Sequence, residues 1–165
     1  MTKLLGFLDK NADQLPPEAL ISHIIWRFHD AHRRELPDLI RLSRKAEAAI
    51  LSQDQKPEPL SPLLEAIAND LEHHMIEEEQ ILFPLMLSGR ALMLDPPIKH
   101  ILAEHDHHSK LIERLGKLAL EWAALEGNDH VKDLLAGLRK FSDDLHQHLE
   151  LETNALFPQF TRLLK

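Results

Sequence analysis

Apolar residues recur along this chain in steps of three and four, which places them on one face of a helix, and Pro, Gly and Asp mark where each run stops. Pro16-Pro17 opens a first run through Ile21, Ile25, Phe28, Leu36 and Leu39, with Pro37 as an expected kink and a fade near Leu51. A polar, proline-containing loop follows from Gln53 to Pro59. Ser61-Pro62 reads as an N-cap and first-turn proline for a second run at Leu64, Ile67, Leu71, Ile81 and Leu85, ended by Gly89. Asp95-Pro96 repeats that signal before Ile98, Ile101, Leu102, Leu111, Ile112, Leu115 and Trp122, which lead to Glu126-Gly127-Asn128. Asp129 then caps a fourth run, with Leu134, Leu138, Phe141, Leu145, Leu156 and Phe160 on its stripe. Four amphipathic helices on short loops predict an all-α, up-down-up-down four-helix bundle.

Composition narrows the picture. A chain of 165 residues, 44% hydrophobic, fits a single domain over 1–165. With a net charge of −8 and no basic block, it offers no surface for nucleic acid or acidic lipid. The short apolar piece within Met1 to Lys10 lacks the length and cleavage site of a signal peptide, and no segment has the apolar length of a membrane span, so a cytoplasmic location is expected. There is no Cys, so any metal must be held by nitrogen and oxygen. Histidine is the anomaly, with twelve copies.

Those histidines fall in repeated phrases. His74-x-x-x-Glu78 followed by Phe83-Pro84 on the second helix matches His148-x-x-x-Glu152 followed by Phe157-Pro158 on the fourth. Phe28-His29-Asp30-x-His32 on the first matches Glu104-His105-Asp106-x-His108 on the third. The chain is thus an internal repeat of two helical hairpins, offset by roughly 75 residues. His and Glu four apart lie one turn above each other and continue the apolar stripes, so His74, Glu78, His148 and Glu152 take core positions. A buried carboxylate must be protonated, paired or metal-bound. From His105 to the end of its helix, and back along the fourth to the point between His148 and Glu152, the chain runs about 21 residues each way. The long loop after the first helix absorbs the mismatch in the other hairpin, so four histidines and two glutamates reach one level. Such donors suit Fe, Mn, Zn or Ni, and two carboxylates among four imidazoles suit a bridged pair of ions.

These motifs resemble those of the hemerythrin-like (HHE cation-binding) family. The stretch from His29-Asp30-x-His32-Arg33 to Leu36-Pro37-Asp38-Leu39, with both Leu-Phe-Pro endings, is most similar to the di-iron domain of the iron–sulfur cluster repair (Repair of Iron Centres) proteins, and the likeness runs from about Ile21 to Phe160. The resemblance implies a hemerythrin-like bundle with two non-haem iron ions, oxo- and carboxylate-bridged, in which His29, His74, His105 and His148 are terminal ligands and Glu78 and Glu152 bridge. It also implies a stress-response role in cluster repair, through iron supply or reaction with nitric oxide, with an iron–sulfur protein as partner. The alternatives are reversible binding of oxygen or nitric oxide for storage or sensing, and a structural, non-redox ion. Repair proteins of this type carry a further N-terminal domain with a cysteine motif; this chain starts almost at the bundle and has no Cys, so a cysteine-dependent step is not expected of it. Oxygen carriers place two histidines four apart on the third helix, where Ser109 stands here, which argues against simple oxygen storage.

The other histidines receive plainer readings. His32 and His108 fall near the apolar face and are expected to support the ligands or pack in the core. His23, His73, His100, His107, His130 and His146 point off the stripes and are expected in solvent. Glu77 and Glu79 read as a charged face, the Phe-Pro pairs as bending and packing devices, and Trp26 and Trp122 as interior or interface packing.

Overall fold

The computed structural model describes residues 15–51, 56–90, 93–125 and 129–161. The readings of Met1 to Lys10 and of Glu126-Gly127-Asn128 lie outside these residues, as do residues 52–55 of the first loop.

Pro16 and Pro17 start the first helix as the sequence predicts, with Pro16 extended at the N-cap. This helix comprises α1 (Pro17–Ile24), a π turn (Ile25–His29) and α2 (Asp30–Ala49). The second comprises α3 (Ser61–Glu77), a π turn (Glu78–Leu82) and α4 (Phe83–Leu87); the third is α5 (Asp95–Ala123). The fourth comprises α6 (Asp129–Leu151), a π turn (Glu152–Leu156) and α7 (Phe157–Thr161). No strand occurs among the described residues. α2 packs on α3 and α6, and α5 packs on α3 and α6, so each helix touches its neighbours in sequence and the first closes the ring onto the fourth. This is the up-down-up-down bundle that the four stripes predict.

The helix ends depart from the sequence reading. Leu60 and Leu94, not Ser61 and Asp95, hold the cap positions, and neither helix has a side-chain cap of its own. Glu47 reaches over from the end of α2 instead, and accepts from the Ser61 backbone N–H at 2.7 Å and from Ser61 Oγ at 2.8 Å. A carboxylate at a helix N-terminus satisfies free N–H groups and complements the helix dipole. Asp95 lies in the first turn of α5, where Lys99 donates to it at 2.8 Å. Gly89, at φ 72°, follows the second helix in the left-handed region that glycine tolerates best. Pro37 lies inside α2, which continues past it.

The interior is apolar at both ends and polar between. One cluster gathers Leu36, Leu64, Leu71, Trp122, Leu138 and Phe141; the other gathers Leu20, Ile24, Phe83, Ile98, Leu156 and Phe160. Between them lie buried His29, His32, His74, Glu78, His105, His108, His148 and Glu152. Ile81 and Leu102, expected on the stripes, are at the surface. The π turn after Glu78 widens the helical repeat, so Leu82 and Phe83 turn inward in place of Ile81. The first helix's π turn likewise brings His23 under the edge of Phe28, ring centroids 6.0 Å apart, so His23 is buried rather than solvated. Trp122 is interior and donates Nε1–H to the Glu58 carbonyl at 2.9 Å, whereas Trp26 is half exposed, which leaves the interface alternative for it.

Two helical glycines give a check on this packing. A β-carbon on Gly116 would meet nothing, so Gly116→Ala is expected to stabilise the fold by about 1 kcal/mol through helix propensity. On Gly137 it would fall 2.6 Å from the Leu39 Cδ2 methyl of α2, so Gly137→Ala should gain less. Equal gains in thermal denaturation would mean that the contact between the first and fourth helices is looser than described.

Candidate metal centre

The three π turns coincide with the polar layer. Glu78 and Glu152 each begin one, with the Phe83 and Phe157 N–H groups bonding back to their carbonyls, and His29 ends the third. A π turn inserts one residue into the helical repeat and re-aims the side chains around it. Here Phe83 and Phe157, five residues beyond each glutamate, are aimed at the histidines across the bundle. Phe83 stacks on His29 at 6.0 Å and Phe157 on His105 at 5.8 Å, so the Phe-Pro pairs are packing devices, and the surface they pack is the imidazole.

Four helices deliver six donors to one point. His29 Nε2 lies 3.0 Å from His148 Nε2 and 3.4 Å from Glu78 Oε2. His74 Nε2 lies 3.5 Å from Glu78 Oε2, His105 Nε2 lies 3.1 Å from Glu152 Oε2, and His148 Nε2 lies 3.2 Å from Glu152 Oε1. The donors form two overlapping groups, each with its ligand atoms within 4.8 Å of one another: His29, His148, Glu78 and Glu152, and His74, His105, Glu78 and Glu152. Both glutamates belong to both groups. The structure thus brings together all six residues that the sequence singles out, while His32 and His108 stand outside either group. The His32 ring lies 5.4 Å from His148, and the His108 ring 4.8 Å from His74.

The outward nitrogens are held by partners that the sequence reading missed. His29 Nδ1–H donates to Glu79 at 2.7 Å, and Arg33 donates to the same Glu79 oxygen at 2.8 Å. His74 Nδ1–H donates to Glu104 at 2.8 Å, and His105 Nδ1 faces the Thr153 hydroxyl at 3.1 Å. A proton kept on Nδ1 leaves the Nε2 lone pair directed inward, the tautomer a metal requires. Glu79 and Thr153 occupy equivalent places, each following a central glutamate. His148 breaks the symmetry: Phe28 takes the place in the first hairpin that Glu104 takes in the second, and it stacks on His148 at 5.4 Å. The His148 Nδ1 has no partner within the described residues.

Burial, reinforced by the neighbouring His148, lowers the pKa of His29 to about 2 and of His32 to about 2. Burial lowers His108 to about 3, with His74 adding to it, and lowers His74 against the pull of Glu104. These imidazoles are neutral at neutral pH, the form in which His29 and His74 could ligate. Burial raises Glu78 well above the usual carboxylate range, and the adjacent Glu152 raises it further. Glu152 bears the same burial, yet His148 and His105 hold it low, so the two carboxyls are pushed in opposite directions.

This donor set fits metal ions. His74 Nε2, His105 Nε2, one oxygen of Glu152 and both oxygens of Glu78 are buried without a hydrogen-bond partner, and all belong to the two groups. Among the described residues no buried Lys or Arg joins the layer. A cluster of neutral imidazoles and unsatisfied carboxylates is costly by itself, and a cation satisfies every member at once. No helix of the described residues is long and apolar enough to cross a membrane.

Comparison with known proteins agrees. The family model for the hemerythrin HHE cation binding domain matches residues 20–160. The iron–sulfur cluster repair protein YtfE of Yersinia pseudotuberculosis is 37% identical over 150 residues, covering 90% of this chain and 68% of its own length. YtfE of Dickeya chrysanthemi is 36% identical over 93% of this chain and 70% of its own, and a probable iron–sulfur cluster repair protein of Haemophilus influenzae is 36% identical over 92% and 68%. With its paired His-x-x-x-Glu motifs at the centre of a four-helix bundle and the family match along most of its length, the chain belongs to the hemerythrin family of HHE cation-binding domains.

Proposed function

We propose that the chain holds two iron ions in its polar layer and serves in the repair of damaged iron–sulfur clusters in the cytoplasm, by supplying iron or by reacting with nitric oxide. One observation supports this reading: the two groups of four donors share Glu78 and Glu152, as a pair of ions bridged by carboxylates would need. The names of the relatives, all cluster repair proteins, point the same way. Each group supplies two imidazoles and two carboxylates, fewer donors than the six that iron accepts, and iron bound there would be open to a small ligand such as nitric oxide or oxygen.

The chain's own residues set the conditions. The stacked phenyl rings of Phe28, Phe83 and Phe157 keep water from the imidazole faces. Of the six donors, His105 alone shows side-chain exposure, at 7%, which makes its edge the approach for small molecules. Glu79 and Glu104 hold the Nδ1 protons, and so fix ring orientation and strengthen the inward lone pairs. With no Cys, the chain offers no thiolate to accept a nitrosyl group or to hold a sulfur-bound cluster. Metal release to an iron–sulfur partner would require no thiolate, since His and carboxylate ligands give up metal as they protonate.

The test mixes reduced, iron-loaded protein with a nitric-oxide-damaged iron–sulfur enzyme, with and without external thiol, and with an iron chelator as control. Recovery that requires thiol, and a change in the visible spectrum on adding nitric oxide, are the expected outcomes. Full recovery without thiol at chelator levels that trap free iron would overturn the thiol requirement, and no recovery even with thiol would overturn the proposed role in repair. A spectrum unmoved by nitric oxide would count against the open coordination.

A further inference from the structure

The His-x-x-x-Glu spacing occurs again, one residue out of phase. His73-x-x-x-Glu77 lies on α3 one position before the ligand pair His74 and Glu78, and therefore faces outward; on α5, His100-x-x-x-Glu104 faces it. The two pairs meet at the surface between the second and third helices. His73 Nδ1 lies 3.6 Å from Glu77 Oε1, and His100 Nε2 lies 3.3 Å from Glu77 Oε2 and 3.6 Å from Glu104 Oε1. Donor atoms of His73, Glu77 and Glu104 lie within 4.8 Å of one another.

These separations are long for N–H···O hydrogen bonds, which cluster near 2.9 Å. They match the edge of a tetrahedron of donors: with metal–ligand bonds of about 2.1 Å, neighbouring ligand atoms are about 3.4 Å apart. Two carboxylates, each only about a quarter exposed, are brought together here, and among the described residues neither Glu77 nor Glu104 is paired with a Lys or Arg. His100 lies outside that three-residue group as placed, but its ring and that of His73 are 62% and 72% exposed and free to turn toward a shared ion. Glu104 has its second oxygen committed to His74 Nδ1 at 2.8 Å. It therefore links this surface cluster to a donor of the buried layer.

The geometry points to a second metal site at the surface, in which His73, Glu77, His100 and Glu104 bind one divalent transition-metal ion through two imidazoles and two carboxylates. Such a donor set prefers borderline ions such as Fe2+, Co2+ and Zn2+ over Mg2+ or Ca2+, which favour all-oxygen ligation. Its four residues belong to neither buried donor group, and Glu104 alone connects it to them, through His74. An internal control exists in His146-x-x-x-Glu150, a pair with the same spacing at 3.4 Å that joins no larger donor group among the described residues.

The experiment is equilibrium dialysis of the iron-loaded protein against micromolar Co2+, with iron content measured alongside so that failure of the buried centre is seen separately. We expect one Co2+ per chain, at least tenfold weaker binding in the double variant His73→Ala, His100→Ala and in Glu77→Gln, and unchanged binding in His146→Ala. Helix content by circular dichroism verifies that each variant is folded. No Co2+ bound at micromolar concentration overturns the proposal. So does binding that the double variant leaves intact, or that His146→Ala weakens equally; either result would mean an adventitious ion only.

Discussion

Replacing Glu78 or Glu152 with alanine is expected to drop iron content well below two per chain and to abolish magnetic coupling in whatever iron remains. Each of these side chains stands in both donor groups, so one substitution removes a donor from both ions, whereas loss of any one histidine depletes a single group. His32→Ala and His108→Ala should keep iron near the wild-type level, because these rings flank His148 and His74 without joining either group. Equal loss of iron in all four variants, measured on folded protein, would erase that distinction. Stability of the metal-free protein should move the other way. Both Glu78 oxygens are buried without a hydrogen-bond partner, so Glu78→Leu is expected to stabilise the metal-free chain by about 1–3 kcal/mol while destroying the site. A metal-free Glu78→Leu protein that melts below the metal-free wild type would mean that the carboxyl supports the fold by itself.

The second large effect is acid lability of the metal-free protein. Burial depresses His29 and His32 to about 2 and His108 to about 3, so the folded state refuses protons that the unfolded chain accepts below its ordinary value of 6.5. For a base with a lowered pKa, the stability is whole above 6.5 and falls as pH drops toward the folded value. Each such histidine contributes a slope of about 1.4 kcal/mol per pH unit. Glu78 works in the opposite sense, since its raised pKa lets the folded state gain a proton as pH falls. With His74 also lowered by burial, the histidine slopes outnumber the one opposing carboxyl and leave a net loss of at least about 3 kcal/mol per pH unit, and across two units this approaches the whole stability of an ordinary domain, about 5–15 kcal/mol. Metal-free protein should therefore unfold cooperatively between pH 6 and 4. Saturating metal, by binding the folded state alone, should raise the thermal midpoint at pH 7 and move the acid transition lower. A metal-free protein stable to pH 3, or a thermal midpoint indifferent to chelation, would mean that the histidine layer is open to water.

The sequence made the six central residues legible because His-x-x-x-Glu recurs in both hairpins on stripes otherwise apolar, and burial of a charged pair twice over has few physical solutions. The bundle was legible for the same reason, from four stripes and their proline and glycine stops. What escaped depends on contacts between helices or on local changes of helical repeat. Glu79 and Glu104 look like surface charge in one dimension, and only packing across the bundle sets them against His29 and His74. Glu47 caps a helix that begins fourteen residues later, so no local signal at Ser61 could reveal it. The π turns shift the face of every residue near them, which is why His23 is buried and Ile81 exposed against a strict 3.6-residue reading.

Whether two irons share Glu78 and Glu152 is decided by metal analysis combined with Mössbauer spectroscopy on protein loaded with 57Fe. Two irons per chain are expected and, in the oxidised form, a diamagnetic ground state from two coupled high-spin ferric ions. A reproducible stoichiometry of one in folded protein that has lost no metal, or two irons that are magnetically independent, would contradict it.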